Sequence, residues 1–370
     1  MRIAVVGPVS PVRGGIAYYT TELCRLLGSK HEVVAYSLER VYSSWLYLMA
    51  FGGSNYFDNS RQIVDIGVQK KRTISANPLT WLKCALLIRK WKADVVLVTW
   101  VDPFMFPLVW AVQWFLPKKA RFVFICHNVL PPDKRPFARF LTLSCFKRAD
   151  GFITHASSET ARLLQLKPDS RYVQAYLPAY TLKSEGIDVK KQLKLRRNTL
   201  LFFGFVRQYK GVRHLLRALP LVLKKVDLDL LIVGEFWEDK REYEQLIARL
   251  GLQDHVKMID RYVPNEDIGR YFAAADVVVL PYESGTQSAV VQVAYAHDTP
   301  VISTKVGGLS DAVFDGKTGF LVPPKDERAL ADAIIKFYRG KRRPVLVKNV
   351  RRMKQKFSWA EYVRLLESLF

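Results

Sequence analysis

Arg207 and Lys210 stand three residues apart in GFVRQYKG, residues 204–211, a turn that opens and closes on glycine. An arginine can grip a phosphate with two parallel N–H bonds, and a lysine adds a compact positive charge. The pair therefore suits an anionic leaving group, although a solvated basic turn would use the same residues. A second stretch, residues 281–309 (PYESGTQSAVVQVAYAHDTPVISTKVGGL), has the outline of an anion site. An apolar strand over 276–280 ends at Pro281, the small-residue turn Ser284-Gly285-Thr286-Gln287-Ser288 follows, and an apolar helical run over 289–296 opens from it. The first N–H groups of a helix lack partners and its dipole favours negative charge there, so amides near Ser288, Ala289 and Val290 can cradle a phosphate. Strand, loop and helix also make an ordinary βαβ unit, so the surrounding chain has to decide. In the N-terminal half, Gly14-Gly15 closes a strand-to-helix loop where backbone can approach a ligand, or simply turn. His127 follows Cys126 at the end of another apolar strand.

The elements that must position these groups alternate. Apolar strands are expected over 2–6, 32–36, 94–98, 121–125 and 150–154, with helices between them at 16–27, 81–91 and 104–116. His155-Ala156-Ser157-Ser158-Glu159 reads as a serine-capped helix start with an acidic first turn. Residues 41–75 are aromatic and irregular, and 181–198 are polar, basic and linker-like. The alternation restarts at 200–203 and runs through strands at 228–233, 255–259, 276–280 and 319–322 to a helix over 326–338. Strands alternating with helices imply parallel sheets covered on both faces, with ligands at the carboxyl ends of the strands. The expected architecture is α/β: two Rossmann-like, doubly wound parallel-sheet domains facing a central cleft. Expected boundaries are 1–180 for the first domain, 181–198 for a linker, 199–350 for the second domain, and 351–370 for a C-terminal helix packing back on the first.

Composition narrows the class. The 370 residues are 49% hydrophobic and 12% aromatic, the composition of a packed globular chain. No apolar run reaches the ~20 residues of a spanning helix, and the N-terminus reads as a strand and not a signal peptide. Cys24, Cys84, Cys126 and Cys145 lack metal-ligand spacing and read as reduced core thiols, which points to the cytoplasm. The outlier is a net charge of +23. Residues 1–200 hold 30 basic against 13 acidic residues and residues 201–370 hold 27 against 21, while 336–356 carry ten basic residues and no acidic one. Such a field attracts anionic partners: phosphorylated small molecules, an anionic membrane surface or nucleic acid. Without zinc-finger spacing, a helix-turn-helix or an RNP-like aromatic pattern, nucleic acid is not the expected partner.

Taken in order, several stretches resemble the GT-B glycosyltransferases of family 4, which move a sugar from a nucleotide donor to an acceptor. GFVRQYKG (204–211) is similar to the family's Gly-Arg-Leu…Lys-Gly turn. LLIVGE (230–235) and DVVVLPYE (276–283) match the strands that follow. TPVISTKVGGLSDAVFDGKTGFLV (299–322) matches its Pro-Val…Gly-Gly…Gly-Phe-Leu-Val run. GPVSPVRGGI (7–16) and CHNVLP (126–131) match more weakly. The resemblance implies a nucleotide-sugar donor, a lipid-linked or saccharide acceptor, retention of anomeric configuration, and no metal or other cofactor. It gives Arg207 and Lys210 to the leaving diphosphate, His127 to the transferring sugar or acceptor hydroxyl, and Gly14 and Gly15 to the phosphate or acceptor.

The departures lie in the donor loop. The family places a Glu, seven residues, then a second Glu there; the equivalent positions are Gly285 and Val293. The family's arginine in the first turn is replaced by Phe205. Thr286, Gln287 and Ser288 are then the expected replacements at the sugar and phosphate. Glu283 would reach the sugar from another angle, and Gln292 would substitute only if the backbone shifts, since it points about 100° from Val293 on a helix. An active enzyme with a rebuilt loop and a degenerate binder of nucleotide or glycan both fit. Trp45, Tyr47, Phe51, Trp81 and Trp91 serve either as interfacial anchors for a peripheral membrane enzyme or as core.

Overall fold

The computed structural model describes residues 1–12, 15–38, 70–74, 77–131, 137–178, 189–195, 198–285 and 288–370, with the side chains of 38, 70–74, 104 and 265 left aside. Gly14, Thr286, Gln287, Trp45, Tyr47 and Phe51 lie outside the described residues, as does most of the expected linker.

The chain forms two compact units, one of Met1–Ala175 with Ala360–Phe370 and one of Tyr176–Trp359. Unit 1 is built on seven described strands: β1 (Arg2–Gly7), β2 (Glu32–Leu38), β3 (Lys70–Ile74), β4 (Val95–Trp100), β5 (Arg121–Cys126), β6 (Gly151–Thr154) and β7 (Tyr172–Gln174). They lie in the order β3-β2-β1-β4-β5-β6-β7, every pairing parallel. The near-continuous burial of β1, β4 and β5 is what a sheet covered on both faces requires. Gly7 permits the close approach of β1 and β4, since a Cβ there would meet the Thr99 side chain at 2.6 Å.

Unit 2 repeats the plan with β8 (Asn198–Phe203), β9 (Leu228–Val233), β10 (Val256–Ile259), β11 (Val277–Leu280), β12 (Val301–Thr304) and β13 (Gly319–Val322). Their order is β10-β9-β8-β11-β12-β13, again all parallel. The helix Val212–Leu223 buries Leu215, Leu216, Leu219 and Val222, the stripe its spacing predicts. Each unit is thus a Rossmann-like, doubly wound sheet. The strand order reverses between β1 and β4 in unit 1 and between β8 and β11 in unit 2. The carboxyl ends at these reversals are where such sheets hold ligands.

Several local expectations need correction. The helix Ser157–Leu166 begins after Ala156, with no side-chain cap; the Glu159 carboxylate in its first turn instead accepts the Val129 N–H at 2.6 Å. The stretch taken as irregular up to residue 75 contains β3. The helix Ala138–Phe146 and the edge strand β7 were not foreseen. The basic run near 350 is itself the helix Arg343–Met353, tied to unit 2 by Arg343–Asp276 (2.9 Å), Arg351–Asp298 and Lys354–Asp298 (both 2.8 Å), so the expected boundary at 350 falls inside a helix. Trp81 and Trp91 are partly buried against the core of unit 1 and are not free anchors. All four cysteines are free and buried; burial pushes the Cys24 and Cys145 thiols up to about 12.

Candidate functional site

At the reversal in unit 2, three glycines let loops and strand ends crowd together. Gly204 follows β8, and its N–H donates to the Val233 carbonyl at 2.9 Å. Gly234 follows β9 at φ 146°, where a Cβ would strike the Gly204 carbonyl oxygen at 2.1 Å. Gly211, at φ 66°, closes the turn that begins with Arg207; a Cβ there would lie 1.9 Å from the Pro281 carbonyl oxygen. This contact seats the turn after β8 against the loop after β11. The Glu283 N–H, donating to Tyr209 O at 2.7 Å, pins the same two segments a second time.

Lys210 projects into this junction. A Cβ placed on Gly204 would sit 3.1 Å from Lys210 Nζ and 4.0 Å from Val290 Cγ2, which puts the ammonium beside the first turn of the helix Ala289–Ala296. Nζ also lies 5.5 Å from the centre of the Tyr282 ring. Desolvation pulls the Lys210 pKa below its ordinary value; Tyr209 works against that and Arg207 adds to it. Among the described residues no carboxylate pairs with this ammonium. Ser288 caps the helix: its Oγ accepts the Val290 N–H at 3.3 Å and lies 3.2 Å from Tyr282 Oη. The Val290 amide is therefore already satisfied by Ser288. Gln292 is buried on the same helix, its Oε1 without a hydrogen-bond partner among the described residues, and Val293 beside it is buried too.

Arg207 sits in extended backbone (φ −137°, ψ 151°). Side chains alternate along such a segment, so Phe205 and Arg207 share a face. Both rest on Trp237: the Phe205 ring at 4.9 Å and the Arg207 guanidinium at 3.8 Å from the ring centre. This stacking occupies one flat face of the guanidinium and leaves its N–H edge without an ion pair among the described residues.

Glu283 is placed differently from the expectation that it would reach a sugar. Its Oε1 is 3.2 Å from His214 Nε2 and its Oε2 is 2.9 Å from Lys325 Nζ. His214 Nδ1 is in turn 2.7 Å from Glu327 Oε1. Glu283 is held below the usual carboxylate range first by the Lys325 hydrogen bond and also by His214, and Glu327 is lowered first by His214. The Glu283–His214–Glu327 chain clasps the loop after β11 to the starts of the helices Val212–Leu223 and Glu327–Arg339. His214 went unnoticed in the sequence; its one signal was its place a single turn after Lys210-Gly211.

At the carboxyl edge of unit 1, Gly15 opens the helix Gly15–Leu27, with nothing within 4 Å of where a Cβ would sit. His127, just beyond β5, is held by its backbone N–H donating to Trp100 O at 3.0 Å. Its ring meets Tyr19 edge-on at 5.1 Å and His155 at 5.1 Å. His155 lies 5.7 Å from Tyr362, whose hydroxyl bonds to that of Tyr19. His155 Nδ1 faces the Ala175 carbonyl at 3.1 Å, a contact that places a proton on Nδ1 and leaves the buried Nε2 as an acceptor without a partner among the described residues. Burial pushes His155 down to about 4, and desolvation with His155 nearby lowers His127 well below its ordinary value. In the sequence His127 stands out at the end of an apolar strand, whereas His155 reads only as part of a helix start.

Two parallel-sheet, doubly wound units are the architecture of a GT-B protein. Residues 197–339 match the family model described as "Glycosyl transferases group 1", and residues 13–174 match "Glycosyltransferase Family 4". The chain belongs to the glycosyltransferases of this group 1 and family 4 type. It is similar to the D-inositol 3-phosphate glycosyltransferase of Pseudarthrobacter chlorophenolicus, 32% identical over 203 residues, covering 50% of this chain and 47% of the relative. The Paenarthrobacter aurescens protein of the same description is 30% identical over 194 residues, covering 51% and 46%. The chain spans about half the length of the curated relatives it matches. In fold it resembles sucrose-phosphate synthase from Thermosynechococcus elongatus (TM-score 0.76, 20% identity, 100% and 98% of the two chains). It also resembles Anabaena HepE solved with UDP (TM-score 0.75, 18% identity, 100% of both chains).

Proposed function

We propose that the chain transfers a hexose-type sugar from a nucleoside-diphosphate donor to a lipid-linked or saccharide acceptor, with retention and without a metal. The observation that carries this is Lys210: a partly buried ammonium near a helix start, with no carboxylate to neutralise it among the described residues. A desolvated charge without a counter-ion is costly, and a bound diphosphate would supply the missing one. The solved Anabaena relative was crystallised with UDP and with UDP-glucose, which agrees with a donor of this class.

In the proposed step the bond between the anomeric carbon and the phosphate oxygen breaks, and its electron pair leaves on the nucleoside diphosphate. The acceptor oxygen bonds to the anomeric carbon on the same face, and its proton passes to the departing phosphate. Charge grows on the leaving diphosphate, so fixed cations there lower the barrier most. Lys210 and the free edge of Arg207 are those cations, with amides near Ser288 and Ala289 beside them. Glu283 acts by holding the loop through His214 and Lys325. His127, neutral at physiological pH, can accept or donate one hydrogen bond to a sugar or acceptor hydroxyl without introducing charge.

The double variant Arg207→Ala/Lys210→Ala is the test. Transfer from a nucleotide sugar, followed by release of nucleoside diphosphate, should fall below detection while the melting temperature holds. Full turnover in that variant would overturn the assignment of the leaving-group site.

A further inference from the structure

Three helices of unit 1 carry apolar side chains that face solvent. Pro78–Trp91 exposes Leu79 (72%), Leu82 and Leu86, a stripe opposite its buried Cys84, Ala85 and Ile88. Phe106–Phe115 exposes Trp110 and Trp114 (70%), one turn apart and stacked at 5.3 Å, while Leu108, Val109 and Val112 point inward. Ala138–Phe146 exposes Phe140 (65%). The middle helix joins the third through Gln113 Nε2, which donates to Cys145 O at 2.8 Å, and Arg148, which donates to Leu116 O at 2.8 Å. Together these side chains expose on the order of several hundred Å² of apolar surface, an area that in soluble proteins marks an interaction face.

The helices that carry this face are basic. The three helices hold Lys83, Arg89, Lys90 and Arg139 and no acidic residue. Beside Trp114 opens a groove whose lining includes Arg89, Lys92, Lys119 and Arg121. The three acidic side chains in that lining are engaged: Asp94 accepts the Arg2 N–H at 2.8 Å, Glu32 lies 3.7 Å from the Arg2 guanidinium, and Glu367 lies 3.6 Å from Lys30 Nζ and 3.1 Å from His31 Nε2. The four groove cations make no ion pair among the described residues.

We infer that this face of unit 1 docks on an anionic lipid bilayer, with Trp110, Trp114, Leu79, Leu86 and Phe140 entering the interface and the groove cations meeting headgroup phosphates. Indole rings with one polar edge suit that boundary, and basic residues near an anionic leaflet add attraction that salt screens. A second copy of the chain fits less well, because it would bring an equally basic, unpaired rim against this one. The inference does not rest on the transferase assignment, since lipid binding and nucleotide binding are read separately.

The experiment is flotation of the intact chain with vesicles of equal parts phosphatidylglycerol and phosphatidylcholine, beside vesicles of phosphatidylcholine alone. The chain should float with the anionic vesicles at low salt and much less with the neutral ones. Trp110→Ser/Trp114→Ser should raise the half-saturating lipid concentration at least about tenfold, the loss of two interfacial aromatic side chains. Its nucleotide affinity should be unchanged, because both rings face solvent on unit 1. If that variant loses its melting transition, Arg89→Glu/Lys90→Glu, at exposed positions of another helix, must show the same loss of flotation with the fold intact. No flotation of the unaltered chain, or equal flotation of either variant, would overturn the inference. So would a concentration-dependent dimer abolished by the tryptophan substitutions in the absence of lipid binding.

Discussion

Lys210 and Glu283 illustrate how residues of the same turn divide the work. Lys210 is partly buried and faces no carboxylate among the described residues, whereas both carboxylate oxygens of Glu283 are already engaged, one by His214 and one by Lys325. If Glu283 works by holding the loop, removing its imidazole partner should loosen that loop without emptying the site. In His214→Ala the Lys325 bond remains, and a charge-assisted hydrogen bond in this partly exposed setting is worth about 1 kcal/mol. Nucleoside-diphosphate affinity measured by calorimetry should therefore fall roughly fivefold, not vanish. Affinity equal to that of the unaltered chain would show that the clasp has no part in shaping the site. Lys210 could be picked out in the sequence because it precedes a glycine that the turn requires. The clasp could not, because Glu283 and Glu327 lie 69 and 113 residues from His214, and only the fold brings them together.

Elements were legible where period and length agree. The apolar strands of both units and the Val212–Leu223 stripe follow directly from hydrophobic spacing. The strand Lys70–Ile74, KKRTI, carries too much charge to read as strand, and its place is set by pairing with β2. The helix Ala138–Phe146 leaves Phe140 exposed and buries Thr142, which blurs its period. Elements far apart in sequence also meet around the two histidines: Tyr19 comes from the first helix and Tyr362 from the last. This cluster should make folding sensitive to acid. His155 titrates near 4 in the fold against an ordinary 6.5. The unfolded chain takes up its proton first, so the stability it confers is intact above about 6.5 and is lost as pH falls towards 4. For His155 that difference is on the order of 3 kcal/mol. Urea midpoints across this range should drop less steeply in His155→Gln, whose amide can still donate to Ala175. Parallel pH profiles for the two proteins would contradict the buried, neutral state of His155.

At the scale of the molecule, the family pattern is kept in one part and lost in another. The glycine junctions and Lys210 remain, while Gly285 and Val293 stand where two carboxylates are expected. The excess of positive charge is divided as well: in the second half it is densest over residues 336–356, and in unit 1 Lys83, Arg89, Lys90 and Arg139 accompany the exposed apolar side chains. The fold could be read from the alternation of elements; of the C-terminal segment 351–370 expected to pack back on the first domain, Ala360–Phe370 groups with unit 1 and buries Tyr362, Leu366 and Leu369. The proposed transfer requires that the junction of unit 2 bind a nucleotide sugar through Lys210. Calorimetric titration of the intact chain and of Lys210→Ala with UDP-, GDP-, ADP- and dTDP-sugars measures this directly. At least one donor should bind saturably, and its affinity should weaken tenfold or more in Lys210→Ala, since a hydrogen bond to a charged group is worth about 1.5–3 kcal/mol. Failure of all four donors to bind, or equal affinity in the two proteins, would contradict it.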